Sequence, residues 1–162
     1  MKLFIPAPPI TIMLVGDMMT KRPATVRPDD TFRKAVHSMA SRNISGCPVV
    51  EESRLVGIVT QTDVIRAVDV YGKINRSGDV FSLLVSMLKS KQDSSHLRKM
   101  LGMKVSRIMN RKVVSVSSGH DIYEAARLMN RHGIDRLPVV DDSRLVGILT
   151  KSDVMKFLQK VK

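Results

Sequence analysis

Cysteine occurs once in the 162 residues, tryptophan not at all, and aromatic residues make up only 4% of the chain. The lone Cys47 excludes an internal disulfide and makes a reducing compartment the default expectation. It stands in an apolar run before Pro48, where a buried, inert thiol is expected rather than a nucleophile. Histidine is scarce and scattered: His37, His96, His120 and His132 show no metal-ligand spacing. There is no glycine-rich phosphate loop, and no Ser–His–Asp or Cys–His set is suggested, so an enzyme is not expected and no catalytic or metal-binding residue is named. No apolar run is long enough to span a bilayer. The segment Met1-Lys2-Leu3-Phe4-Ile5-Pro6-Ala7-Pro8-Pro9 is broken by prolines and lacks a signal-peptide core, which leads to the expectation of a cytoplasmic protein without a membrane partner. Acid is also in short supply. Fifteen Asp and Glu face 27 Lys and Arg, a net charge of +12. Such an excess suits anionic partners (nucleotides, nucleic acid, an acidic protein surface), although the charge is scattered and a plain basic surface is an equal reading.

What is present is a core and a repeat. Apolar residues make up 43% of the chain, enough for one compact unit or two closely packed halves. The eleven methionines read as core gap-fillers. Residues 15–68 aligned on 105–158, at a constant offset of 90, give 18 identities in 54 pairs without a gap. They cluster: Pro48-Val49-Val50 repeats as Pro138-Val139-Val140, and Ser53-Arg54-Leu55-Val56-Gly57-Ile58 as Ser143-Arg144-Leu145-Val146-Gly147-Ile148. Thr60, Asp63 and Val64 repeat as Thr150, Asp153 and Val154.

The stretch Gly57 to Asp63 organises the first copy, and Gly147 to Asp153 the second. A β-branched strand ends in hydroxyls, and an acidic residue opens the next helix, with Thr62 expected at or near the N-cap. A helix N-terminus carries unpaired N–H groups and the positive end of the dipole. Asp63 there can accept from the vicinal hydroxyls of a ribose, and Thr60 and Thr62 can donate to phosphate or ribose oxygens. The competing reading is an ordinary cap. Duplication of both Thr and Asp favours the functional reading, because a duplicated core alone would not keep them in place.

In chain order, residues 1–14 read as an extended arm and 15–20 as a short helix or turn. Pro23 to Val26 reads as a short strand. Asp29 or Asp30 is expected to cap a helix running to about Arg42, with Phe32, Ala35, Val36 and Met39 on one face and His37 in solvent. Ile122, Ala125, Ala126 and Met129 repeat that face after Ser118-x-x-Asp121, which resembles a capping box. Cys47 to Val50 with Leu55 to Val59, and Leu137 to Val140 with Leu145 to Leu149, read as hairpins with polar turns. Residues 69–104 have no counterpart. Asp79 is expected to cap one helix (Phe81, Leu84, Val85, Leu88) and Ser94 or Ser95 another (Leu97, Met100, Leu101). This connector reads either as packed on its own module or as a partner surface.

Taken together and in order, these motifs resemble a tandem pair of cystathionine-β-synthase (CBS) domains, a Bateman module. The resemblance rests on Asp17-Met18-Met19-Thr20 with Pro23-Ala24-Thr25-Val26, Ile44-Ser45-Gly46-Cys47-Pro48-Val49-Val50 and Leu55 to Asp63. The second set is Ile108-Met109-Asn110, Val113-Val114-Ser115-Val116, Ile134 to Val140 and Leu145 to Asp153. It covers about two-thirds of the chain. It implies an α/β (α+β) fold of two β-α-β-β-α repeats packed face to face about an approximate two-fold axis. The segments would be an arm (1–14), repeat 1 (15–70), a helical connector (71–104) and repeat 2 (105–162), standing alone without an attached enzyme, channel or transporter domain.

The resemblance also implies a regulatory module binding an adenosine nucleotide (AMP, ADP, ATP or S-adenosylmethionine) as ligand rather than cofactor. One site would use Thr60, Thr62 and Asp63 with Val113, Val114, Ile134, Asp135, Arg136 and Pro138. The other would use Thr150, Ser152 and Asp153 with Thr20, Pro23, Ala24, Ile44, Ser45, Gly46, Cys47 and Pro48. Arg136 offers a fork for phosphate where the first repeat has Gly46, so the Asp63 site is expected to prefer a phosphorylated ligand. A homodimer is implied, as is a regulated partner protein that reads a ligand-dependent change in the angle between the halves. The alternative is a basic nucleic-acid-binding module, with nucleotide as a possible effector.

Overall fold

The structure is a computed structural model that describes residues 13–71 and 95–160. The expected N-terminal arm, as far as residue 12, and the expected helix after Asp79 lie outside the described residues.

The elements follow the repeat. α1 (Val15–Met18) and β1 (Thr20–Lys21) lead in. α2 (Phe32–Ser41), β2 (Gly46–Glu51), β3 (Arg54–Thr60) and α3 (Gln61–Tyr71) form the first repeat. α4 (Ser95–Leu101) and a 3-10 turn (Val105–Arg107) connect. α5 (Ile122–His132), β4 (Arg136–Asp141), β5 (Arg144–Thr150) and α6 (Lys151–Lys160) form the second repeat.

The amphipathic faces follow expectation: Phe32, Ala35, Val36 and Met39 of α2 are buried, as are Ile122, Ala125 and Met129 of α5, whereas Ala126 is only half-buried and His37 is exposed. The helix starts differ from expectation by one or more residues. Thr31, not Asp29 or Asp30, caps α2 by accepting from the Lys34 N–H at 3.3 Å. Asp30 is drawn instead to the Arg27 N–H at 2.7 Å and the Lys34 ammonium at 2.8 Å. Asp121 caps α5 through the Tyr123 N–H at 2.9 Å, and the Ser118 N–H donates to Asp141 at 3.0 Å, so Ser118 forms no capping box. After each helix the chain turns through a left-handed residue, Asn43 (φ 50°) and Gly133 (φ 60°), the two residue types that tolerate that conformation best.

Each hairpin turns on two residues of positive φ, Glu52-Ser53 and Asp142-Ser143, the pattern of a type I′ turn whose twist matches the flanking strands. β2 and β3 are antiparallel, with Pro48 opposite Ile58. Proline in this strand leaves no broken ladder bond, because the Ile58 N–H and C=O both pair with Asn110 on the other edge, at 2.9 and 2.8 Å. The strand expected over Pro23 to Val26 is a single parallel bridge, Val26 to Val49. Val116 repeats it against Val139.

The described residues divide into two compact units, and these cut the chain differently from the repeats. One takes the residues up to Lys21, Ser115–Asp141 and those from Val146 on. The other takes Arg22–Val114 and Asp142–Leu145. Each unit thus holds the body of one repeat and the lead-in of the other. In the first unit, Val15 and Gly16 donate to the carbonyls of His120 and Ser118, and Thr20 pairs with Ile148. In the second, Val105 and Ser106 donate to the carbonyls of Asp30 and Pro28, and Asn110 pairs with Ile58. The second unit's core runs through Phe32, Val36, Met39, Val49 and Val59 to Met100, Leu101 and Val105, so the described end of the connector packs on its own module.

Three carboxyls sit below the usual aspartate value of 3.8. Partial burial raises Asp30, but Lys34 and the Arg27 N–H outweigh it. Hydrogen bonding to Lys151 lowers Asp135, and hydrogen bonding to Ser118 lowers Asp141. A carboxyl depressed on folding contributes stability that is present above its unfolded value and lost as pH falls through its folded value. The melting temperature should therefore fall as pH drops below about 3.8. Asp141→Asn should flatten part of that acid limb; a melting series in pH that leaves the limb unchanged would remove Asp141 from the account.

Candidate functional site

The duplicated Thr and Asp meet at the end of the hairpin in each repeat. β3 delivers Thr60, and α3 begins at the next residue, so Asp63 is the third residue of the helix. The Thr60 N–H and hydroxyl both donate to Asp63 Oδ2, at 2.9 and 2.7 Å, and the Asp63 N–H reaches Thr60 Oγ1 at 3.4 Å. This is a reciprocal capping box with Thr60 as the cap, which corrects the expected cap at Thr62. The Thr-x-x-Asp spacing carried that signal. Thr150 and Asp153 repeat the geometry at 2.9, 2.7 and 3.4 Å.

The capping reading therefore holds in both repeats, and it leaves chemistry over. The box occupies Oδ2 only. Oδ1 of Asp63 has the Arg66 guanidinium at 3.5 Å, and Oδ1 of Asp153 has the Lys156 ammonium at 3.6 Å, both long contacts from exposed side chains. Each carboxylate side chain is only 11% exposed, so it is held in one orientation with one acceptor oxygen still lightly engaged. Thr62 and Ser152 are exposed at the second helical position, where free N–H groups and the helix dipole favour an anion.

The pre-proline loop of each repeat is tied to the turn of the same repeat. The Gln61 N–H donates to the Ser45 carbonyl, and the Lys151 N–H to the Asp135 carbonyl, both at 3.0 Å. Lys151 also forms a 2.6 Å ion pair with Asp135. Residue types alone did not point to Gln61 and Lys151 as tethers. Val113 and Val114 lie in the same unit as Asp63, together with Pro23, Ala24 and Ile44 to Pro48. Thr20 and Ile134 to Pro138 lie in the unit of Asp153. Cys47 is fully buried, with its sulfur 3.8 Å from Ser38 Oγ, and Pro48 and Pro138 are buried as well, whereas Ser45 and Asp135 are exposed. Among the described residues no cluster of His, Cys, Asp and Glu could hold a metal, and no helix is long and apolar enough to cross a membrane.

Comparison with known proteins follows the same residues. Protein MJ1426 of Methanocaldococcus jannaschii is 33% identical over 155 residues, 91% of this chain and 92% of that protein. Some other curated relatives are longer. The chain spans 39% of protein MJ1232 and 22% of the inosine-5′-monophosphate dehydrogenase of that organism, at 29% and 33% identity over 89% and 86% of this chain. Among solved structures, CBSX2 in complex with AMP matches with a TM-score of 0.67 and 27% identity, over 91% of this chain and 97% of that one. The CBS domain pair of protein MJ0100, in complex with 5′-methylthioadenosine and S-adenosyl-L-methionine, matches with a TM-score of 0.70 and 25% identity, over 93% and 99%. The family model for the CBS domain matches twice, at residues 15–70 and 105–160. Those two spans hold both hairpins and both Thr-x-x-Asp turns, and the chain belongs to the CBS domain family as a tandem pair of repeats.

Proposed function

We propose that the protein is a regulatory module that senses adenosine-containing ligands (AMP, ADP, ATP or S-adenosylmethionine) at its two Thr-x-x-Asp turns. The observation that carries this is the second acceptor oxygen of each largely enclosed, capping-box carboxylate. The ligands in the related structures are AMP, 5′-methylthioadenosine and S-adenosyl-L-methionine. Only one of the three bears a phosphate; all three carry an adenosyl ribose with vicinal hydroxyls. A carboxylate oxygen aimed at those hydroxyls fits the shared part of the three. Thr62 and Ser152, at the helix N-termini, serve the variable part. A homodimer and a separate regulated protein complete this reading, and light scattering of the purified chain tests the first.

The two sites differ in charge. The first-repeat loop is Ser45-Gly46 beside Gln61; the second is Asp135-Arg136 beside Lys151. Arg136 shares a unit with Asp153, and the Lys151 N–H ties its loop to the Asp153 turn, which favours a phosphate preference at the Asp153 site over the Asp63 site. In an Asp63→Asn background, Arg136→Ala should weaken AMP binding by about ten-fold or more, the scale of a charge-assisted hydrogen bond, and leave adenosine unchanged. Equal losses for AMP and adenosine by calorimetry would remove Arg136 from phosphate binding.

A thermal-shift panel on nucleotide-stripped protein tests the whole proposal, with AMP, ADP, ATP, S-adenosylmethionine and GTP. A ligand at a hundred times its Kd stabilises by about 2.7 kcal/mol, roughly 5–10 °C for a chain of this size. Shifts confined to adenosine ligands support the proposal; no shift with any of them overturns it.

A further inference from the structure

The positive charge is unevenly shared. Among the described residues, the unit holding the body of the first repeat carries fourteen Lys and Arg against seven Asp and Glu; the other carries seven against six. One segment accounts for most of the difference. Between Asp93 and Asp121 there is no acidic residue, and Arg98, Lys99, Lys104, Arg107, Arg111 and Lys112 fall there, all exposed. Lys104 meets Asp29 at 2.7 Å, and Arg111 reaches the Ser106 carbonyl at 3.3 Å. No described carboxylate forms an ion pair with Lys99, Arg107 or Lys112.

The segment is a fixed display. Met100, Leu101, Val105 and Met109 alternate with the cations and are buried. The backbone is held at Val105 by the Asp30 carbonyl at 2.8 Å and at Asn110 by Ile58. The cations are thus turned outward from an anchored support. Separate from the Thr-x-x-Asp sites, we propose that the segment from Arg98 to Lys112 is a docking face for the phosphate backbone of a nucleic-acid duplex.

Charge complementarity gives the class of partner, and what surrounds the charge narrows it. An acidic protein partner would need apolar anchors as well. Among the described residues the exposed large hydrophobic side chains are Leu14, Ile65, Tyr123, Met155 and Leu158; of these Ile65 alone is in this unit, and it lies on α3. Single-stranded nucleic acid is held by stacking on aromatic side chains, and no described aromatic side chain of this unit is exposed. Among the described residues the segment thus presents anchored cations without apolar or aromatic anchors beside them, which favours backbone recognition of a duplex, driven by counterion release and indifferent to sequence.

The test is anisotropy of a labelled duplex of ~20 base pairs with the full chain, from about 50 to 200 mM salt. The logarithm of affinity should fall linearly with the logarithm of salt. Arg107→Ala/Arg111→Ala should make that slope shallower by about 1.8, at 0.9 per phosphate contact, and weaken binding equally for unrelated sequences. Arg127→Ala/Arg131→Ala removes equal charge from exposed positions of the other unit and should leave the slope unchanged, as should Arg107→Lys/Arg111→Lys. Running the same series with duplex RNA distinguishes the source of the phosphates. The proposal is overturned if the two alanine pairs act alike, if binding is absent or flat in salt, if the single strand binds more tightly, or if an acidic peptide of equal charge displaces the duplex as well as unlabelled duplex does.

Discussion

Asp63→Asn should weaken one ligand site by roughly 10- to 100-fold while leaving the melting temperature almost where it was. The two functions of this carboxylate sit on different oxygens. Oδ2 accepts from the Thr60 N–H at 2.9 Å and from the Thr60 hydroxyl at 2.7 Å, and an asparagine carbonyl can do the same. Oδ1 is the oxygen assigned to the ribose, and in asparagine it becomes an NH2 without charge or acceptor capacity. Hydrogen bonds to a charged group contribute about 1.5–3 kcal/mol, so affinity at that site should fall by roughly 10- to 100-fold. Asp153→Asn should do the same at the other site, and the double variant should bind only weakly at both. Asp63→Ala is the contrasting variant: it loses the cap as well, about 1 kcal/mol or roughly 2–4 °C. Titration calorimetry on all four proteins decides the matter. Full stoichiometry and affinity in Asp63→Asn and Asp153→Asn would mean that the carboxylates serve only as caps.

That experiment settles a question the sequence itself raised. Thr and Asp at fixed spacing before an apolar helix fit a cap and a ribose site equally well, because both need an oxygen at a helix N-terminus. The cap assignment slipped from Thr60 to Thr62 because both residues are competent, and only the strand end decides which has non-helical geometry. Asp29, Asp30 and Thr31 posed the same problem, and Asp30 went to Arg27 and Lys34. The faces of α2 and α5 were legible because burial has the helical period, and the hairpins because polar pairs interrupt β-branched runs. An offset of 90 reveals which residues are alike but not which touch. Nothing in the pattern shows that Val15–Met18 packs in a unit with α5 and β5, or that Val105–Arg107 joins α2 and β3. For the same reason the tie between the Asp135-Arg136 loop and the Thr150-x-x-Asp153 turn became visible only with the Lys151 N–H on the Asp135 carbonyl.

The exchanged lead-ins make a prediction about stability that no other arrangement of the repeats shares. Gly57 lies under Met109. A Cβ there would stand 2.7 Å from the sulfur, 3.1 Å from Met109 Cγ and 3.1 Å from the Asn110 carbonyl oxygen. Gly147 lies under Met19 in the same way; its Cβ would crowd the sulfur, with Met19 Cγ at 2.9 Å and the Thr20 carbonyl at 3.1 Å. A methionine can swing aside, but a hydrogen-bonded backbone carbonyl cannot, so part of the strain stays. Gly57→Ala and Gly147→Ala should each cost about 1–3 kcal/mol, the usual range for overpacking. For this chain length that lowers Tm by roughly 2–4 °C per kcal/mol. The decisive measurement is a double-mutant cycle. Shortening the methionine relieves most of the crowding, so Gly57→Ala/Met109→Ala should be less destabilised than the sum of its parts by about 0.5–3 kcal/mol, and Gly147→Ala/Met19→Ala likewise. Gly57→Ala/Met19→Ala joins a glycine and a methionine of the same repeat and should be additive to within about 0.5 kcal/mol. Coupling in that last pair, with additivity in the first two, would mean that each repeat keeps its own lead-in. Coupling in the first two alone would establish that each unit is completed by the other repeat, so that neither repeat expressed by itself has the segment that covers its central strand.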